Sequence, residues 1–345
     1  MKLFQRLLVA PAALGLMAPV AVNADTFSST TSLGGSAFFT SGSVENGTGD
    51  TNEEFYTQYA YSLDMKSSFT GKDLLVIGIE AGNAGDKTAA NASLKPLSLM
   101  DSAVNTSSNA LQVHSAFYSF PVGDLAVTAG PLLKQDDVVG ATTSQYSDTF
   151  RLGAMPFSLA GVESGPGAGF TYANDSGWVA SASLVADDGA DSTKGINADS
   201  GNDVTTLTLG YNGDGFGGGI VVASHDGDVG ATGYDTFGIG AYYSPESIPA
   251  TLSVAYDSKN PESGSDESDI FLGVDYQVGP GTLHIAWNSS TNDDSGDTSD
   301  STGFELAYSY AVNDNVTITP GFFSVGETTS DNEDSGVVVE TAFSF

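Results

Sequence analysis

The chain has no cysteine. Disulfide staples, thiolate metal sites and a cysteine nucleophile are therefore excluded, and a chain of 345 residues must be held by one large core or ladder instead. Basic residues are scarce: 10 Lys and Arg stand against 43 Asp and Glu, for a formal net charge of −33. Such a surface repels nucleic acid, whose binding depends on cationic contacts that displace counterions. Acidic excess alone can signal disorder, but 40% hydrophobic and 10% aromatic residues supply enough apolar surface to fold. After residue 24 no run approaches the roughly 18–20 apolar residues of a membrane helix. Helix-period segments are missing as well. There is no Gly-x-Ser-x-Gly elbow, no His-Glu-x-x-His helix and no paired-acid spacing, so no catalytic residue is expected. Nothing calls for a cofactor, and no metal is expected: Asn292-Asp293-Asp294-Ser295-Gly296-Asp297 only loosely approaches a calcium loop.

What is present begins with the N-terminus. Met1 to Arg6 is short and basic, and Leu7 to Val22 is apolar but broken by Pro11, Gly15 and Pro19. Val22-Asn23-Ala24 offers small residues where a signal peptidase reads. The pattern predicts a signal peptide over 1–24, cleaved after Ala24, and one exported domain over 25–345.

The mature segment alternates with a period of two, which is strand geometry. Leu207, Leu209 and Tyr211 oppose Thr206, Thr208 and Gly210; Leu283, Ile285 and Trp287 oppose Thr282, His284, Ala286 and Asn288. The same reading holds for Leu252, Val254 and Tyr256, and for Phe304, Leu306, Tyr308 and Tyr310. Strands are predicted near 34–44, 55–67, 73–82, 111–121, 124–131, 166–173, 178–186, 203–212, 216–224, 235–243, 250–257, 269–277, 281–288, 301–310, 316–325 and 336–345.

A β-sandwich would also alternate, so the connections decide. Short Gly/Pro/Asn/Asp turns, such as Val122-Gly123, Gly213-Asp214-Gly215 and Gly279-Pro280, alternate strictly with long acidic loops. Outer-membrane barrels sort their loops in this way, with short periplasmic turns and longer outer loops. The expected fold is all-β: a closed transmembrane antiparallel β-barrel of about 16 strands, at which size the interior stays open as an aqueous channel. The competing reading is a non-conducting acidic secreted surface protein or adhesin with a β-sandwich fold.

On the barrel reading, one strand face lines water. It carries Ser62, Asp64, Lys66, Glu80, His114, Thr128, Ser181, Ser183, Thr206, Thr208, Asp275, His284, Glu305 and Glu340. The other face meets lipid, with Tyr59, Tyr61, Tyr211, Tyr243, Tyr256, Tyr276, Tyr308 and Tyr310 toward strand ends as an interfacial girdle. The longest connection, near 132–165, holds Lys134, Asp136, Asp137, Arg151 and Glu163 and an apolar stretch, Met155-Pro156-Phe157-Ser158-Leu159. Apolar content there makes sense if the loop folds inward. Lys134, Asp136, Asp137 and Arg151 would then set the field of a pore constriction. The expected solutes are small and hydrophilic.

Phe27-Ser28-Ser29-Thr30-Thr31, Ser67 to Leu74, Glu80-Ala81-Gly82-Asn83 and Tyr118 to Leu125 resemble the cyanobacterial outer-membrane porins, grouped with carbohydrate-selective and iron-uptake porins. The resemblance continues through Gly165 to Phe170 and implies an outer-membrane channel passing sugars or inorganic ions. Longer members carry an N-terminal S-layer-homology domain, which is not expected here because strand signal starts close after Ala24. Terminal Phe345 on an alternating strand is similar to the signal such barrels present to the barrel-assembly machinery. A homotrimer is a common state for barrels of this type.

Overall fold

The computed structural model describes residues 30–45, 54–83, 110–147, 149–150, 163–198, 201–227, 232–293, 300–327 and 333–345. Residues 1–29, with the proposed signal peptide and its cleavage site, lie outside them, as do Arg151 and the 155–159 stretch.

Sixteen strands follow one another: β1 Thr31–Glu45, β2 Tyr56–Ser67, β3 Leu74–Gly82, β4 Gln112–Val122, β5 Leu125–Lys134, β6 Ser164–Ala173, β7 Trp178–Ala186 and β8 Asp203–Asn212 in the first half. The second half is β9 Phe216–His225, β10 Tyr234–Tyr243, β11 Ala250–Pro261, β12 Glu267–Val278, β13 Gly281–Asn292, β14 Ser301–Asn313, β15 Val316–Glu327 and β16 Glu333–Ser344. Each pairs antiparallel with its sequence neighbours, and β1 pairs with β16 to close the ring. The closing register runs from Ser36 opposite Ser344 to Glu45 opposite Ser335. Phe345 finishes the seam, exchanging backbone hydrogen bonds of 2.8 and 3.1 Å with Gly35. Closure is what hydrocarbon demands, since each unpaired backbone group there costs several kcal/mol.

Alternation resolves into an inside and an outside. In β8, Thr206 and Thr208 are buried while Leu207 and Leu209 are 50% and 46% exposed. In β16, Val338 and Glu340 face inward while Val337 is 64% exposed. A sandwich would bury those apolar side chains against a second sheet. Here they form an outward belt, the arrangement lipid stabilises. At the short-turn end the belt turns aromatic: Trp178 lies edge-on to Tyr211, Tyr211 packs on Phe216, and Tyr243, Tyr276 and Tyr310 are exposed alongside. The short turns hold tightly. Gly123 between β4 and β5 has φ 61°, a conformation that side chains resist and that suits a two-residue hairpin.

Several strands run further than the sequence pattern indicates. β5 reaches Lys134 and β6 starts at Ser164, so those ends of the expected 132–165 loop are ladder. β11, β12 and β13 extend outward because polar cross-strand pairs continue the ladder above the apolar belt. Lys259 meets Glu267 at 3.5 Å, and the Ser268 and Thr291 hydroxyls share a hydrogen bond at 2.8 Å. The expected 258–268 loop thereby shrinks to 262–266. No helix among the described residues is long and apolar enough to cross a membrane.

Candidate functional site: the barrel lumen

The inward faces of the strands build a polar wall in two groups. On β2 to β4, Lys66 Nζ lies 3.8 Å from Asp64, and His114 Nε2 lies 3.7 Å from the same carboxylate. The Ser62 and Ser115 hydroxyls bracket the His114 ring at 3.1 and 3.0 Å. Gln112 donates to Glu80 at 2.7 Å. On β12 to β15, His284 Nδ1 pairs with Asp275 at 2.7 Å, and its Nε2 meets Ser309, whose hydroxyl is shared with Thr319 at 2.9 Å. This chain of Asp, His, Ser and Thr runs sideways along the wall as a hydrogen-bonded rung. Glu305 is fully buried beside it, and Glu340 accepts from Thr40 at 3.4 Å on the closing seam.

The segment after β5 lies against this wall from within. A single 3-10 turn, Gln135–Val138, starts it. Lys134 N–H donates to Asp137 Oδ2 at 2.8 Å, and the buried Gln135 donates to Thr206 on β8 at 3.0 Å. From there contact passes strand by strand. Gly140 N–H donates to Ser181 on β7, and Gln145 N–H to Ser253 on β11. The Tyr146 hydroxyl donates to Glu305 on β14, and Ser147 donates to Asp275 on β12 at 2.7 Å. Phe150 is fully buried with Val44, Ala307, Phe323 and Val338, beside the barrel's closing seam.

The wall makes room for this path. A β-carbon at Gly240 on β10 would collide with the Thr143 carbonyl oxygen, and one at Gly321 on β15 with the Phe150 ring. At Gly219 it would sit 2.7 Å from the Ala141 Cβ, and at Gly273 2.8 Å from the Tyr146 ring. Glycine is unfavourable in a strand interior unless another chain approaches closely. Here the approaching chain is the loop.

Charge in the loop is shaped by its surroundings. Burial pushes the Asp137 carboxyl up to about 7, and the neighbouring Asp136 charge adds to it, while the Lys134 N–H and ammonium oppose it. Glu163, just before β6, is also pushed up to about 7, by burial and then by the Asp187 charge. Burial, followed by the Glu305 charge, keeps Tyr146 protonated.

Of the residues singled out in the sequence, Lys134, Asp136 and Asp137 fall together where β5 passes into the loop, and the charges of Lys134 and Asp64 both act on Asp137. Asp275, His284 and Glu305 form the second group, and Glu340 stands at the seam. Sequence reasoning missed Tyr146, Ser147 and Phe150 as the side chains that tie loop to wall. The available signal was aromatic residues in an otherwise Ser/Thr/Asp-rich loop, together with the strand glycines opposite them.

Fold and lumen together define a polar-lined transmembrane β-barrel channel. The chain belongs to the Gram-negative porin family, whose model matches residues 10–333. It is an outer-membrane pore for passive diffusion of small hydrophilic solutes. Among solved structures it is similar to an anion-selective porin from Comamonas acidovorans, at 12% identity and TM-score 0.60, over 92% of this chain and 99% of that one. The trimer form of OmpT, an outer membrane protein of Vibrio cholerae, gives 13% identity and TM-score 0.61, over 92% and 100%. A mutant of Rh. blastica porin gives 15% and 0.55, over 91% and 100%. No curated protein matches the chain.

Proposed function

We propose that the β5–β6 loop narrows the lumen, and that Lys134, Asp136, Asp137 and Arg151 set the field at the narrowing. The observation that carries this reading is the series of loop-to-wall hydrogen bonds, from Ser181 through Ser253 and Asp275 to Glu305. A loop fixed in that way takes up cross-section which the sixteen-stranded ring would otherwise leave to water. Asp64, Lys66, Glu80, Asp275, His284 and Glu340 line the remaining path, with carboxylates outnumbering cations, while Glu305, expected from the sequence to line it as well, lies fully buried under Tyr146 of the loop. Rings of charged side chains of one sign favour counter-ions, so the pore prefers cations. The net charge of −33 acts in the same direction, although acids on the outer loops are screened within about 8–10 Å at physiological salt.

The finer assignments follow from the same reading. Sugars and inorganic ions are the solutes suggested by the resemblance to cyanobacterial porins. The similarity to the trimer form of OmpT supports a homotrimer. Phe345, at the end of the closing strand, is the residue offered to the barrel-assembly machinery, and the first 24 residues are removed on export. Single-channel recording of Asp137→Ala and Arg151→Ala tests the constriction. Each substitution is expected to change conductance and the ratio of cation to anion permeability, and wild-type values for both would refute the role.

A further inference from the structure

The rung on β12 to β15 holds a serine whose surroundings exceed what a conducting wall requires. Its hydrogens have one consistent direction. Ser147 donates to Asp275 Oδ2 at 2.7 Å, and Asp275 Oδ1 takes the His284 Nδ1 hydrogen at 2.7 Å. A carboxylate only accepts, so Nδ1 carries the hydrogen of the neutral ring and Nε2 is an acceptor. The Ser309 hydroxyl, 2.9 Å away, therefore donates to Nε2, and its oxygen accepts from Thr319 at 2.9 Å. Hydroxyl, imidazole and carboxylate stand in the order that activates a serine: a base against the nucleophile, and an acceptor behind the base that fixes its tautomer.

Register assembles the three. Asp275 stands directly opposite His284 across β12 and β13, and His284 stands opposite Ala307 on β14. A methyl cannot cover the ring, which leaves Nε2 open to Ser309, two positions further along the same inward face. The histidine on β4 has a different order. The Ser62 hydroxyl and Asp64 both meet His114 Nε2, at 3.1 and 3.7 Å, while Nδ1 meets the Ser115 hydroxyl.

Ser309 is also within reach of solutes. The inward residues of β14 before it, Glu305 and Ala307, are covered by Tyr146 and Phe150 of the loop. Ser309 is next toward the short-turn end and is only half-buried. It thus faces water on the periplasmic side of the loop.

We propose that Ser309 is a nucleophile, with His284 as its general base and Asp275 as the positioning residue, and that small water-soluble esters entering the pore transfer their acyl group to it. His284 Nε2 takes the hydroxyl proton as Ser309 Oγ bonds to the acyl carbon. The bond from that carbon to the leaving alcohol then breaks, and the alcohol departs with the proton, leaving an ester on Ser309 and a neutral imidazole. Membrane lipids are excluded as donors because the site faces the lumen. A strand aims its amides at its neighbours rather than into the lumen, so the stabilisation that converging N–H groups give an oxyanion is weak here. Reaction is thereby confined to esters with a good leaving group. Sequence spacing gives no sign of the site, because the three residues come from three strands and no nucleophile elbow carries the serine.

The test is incubation of the refolded full chain in detergent with p-nitrophenyl acetate, then acid quench and peptide mass mapping. Release of p-nitrophenolate, read alongside, counts any acyl group lost again to water. Among the hydroxyls of the wild type, Ser309 is expected to be acetylated first, ahead of Ser62 and Ser115. His284→Gln is expected to slow acylation of Ser309 by more than about 100-fold, the lower end of what a general base contributes. If His284→Gln does not refold, Asp275→Asn replaces it. The asparagine side chain favours the tautomer with hydrogen on Nε2, which no longer accepts from Ser309, and comparable slowing is expected. Absence of acylation at Ser309 in the wild type overturns the proposal, as does equal acylation of Ser62, or a wild-type rate in either folded variant.

Discussion

The Tyr146 hydroxyl donates to the Glu305 carboxylate, joining residues 159 positions apart in sequence and tying the inner loop to β14 with both side chains buried. Replacing Tyr146 with Phe leaves the ring packed against Phe271 but deprives a buried carboxylate of this donor. A loss of about 1–3 kcal/mol is expected, the usual cost of leaving a buried acceptor short of a partner. Thermal unfolding in detergent reads that loss, and single-channel records should show noisier current as the loop loosens.

Among the described wall glycines, Gly240 is the one whose added β-carbon would come nearest to the loop backbone, at the Thr143 carbonyl oxygen. Gly240→Val drives a side chain into the Thr143 carbonyl, and the loop is the part able to yield because the ladder on both sides of Gly240 is continuous. The barrel should still assemble, with a cost of about 1–3 kcal/mol typical of overpacking. Its conductance should differ from that of the wild type. Unchanged conductance in a folded Gly240→Val barrel would mean that the loop does not govern the pore.

Phe150 anchors the far end of the described loop. Truncation by Phe150→Ala opens a cavity among Val44, Phe323 and Val338, and about 3–5 kcal/mol of stability should be lost. Heat-modifiable migration on gels, compared with the wild type over a temperature series, measures it.

The pH dependence has a definite sign. Asp137 and Glu163 titrate near 7 in the folded protein because burial disfavours their charged forms, against about 4 in an unfolded chain. Between those values the folded state binds more protons, so these two groups stabilise the protein in acid. That contribution is lost as pH rises through about 7. Over the same rise the loop gains negative charge, so cation preference should increase from about pH 5 to about pH 8. Asp137→Asn combined with Glu163→Gln should flatten both trends, read as melting temperature and as reversal potential.

The barrel was legible because a strand states its two environments in alternate letters. Leu207 and Leu209 against Thr206 and Thr208 already separate lipid from water, and the turn at Gly279-Pro280 fixes where β12 ends. The extra length of β11 to β13 was not legible, because polar pairs such as Lys259 with Glu267 look like loop until the register brings them opposite each other. The loop's path was hidden for a related reason. Ser147 meets Asp275, and Gln145 meets Ser253, only after twelve strands have been placed, and nothing local to either residue announces the partner. The glycines at 219, 240, 273 and 321 stood in plain view within strand patterns, yet their meaning depended on the chain that passes over them.

The measurement that tests the account most directly is single-channel recording of the refolded full chain in a planar bilayer, with nonelectrolyte polymers of graded size in the bath. A water-filled lumen narrowed by a wall-bound loop predicts discrete ohmic steps whose size falls with small polymers and is restored once the polymer is too large to enter. Absence of steps, or steps that no polymer size alters, would contradict it.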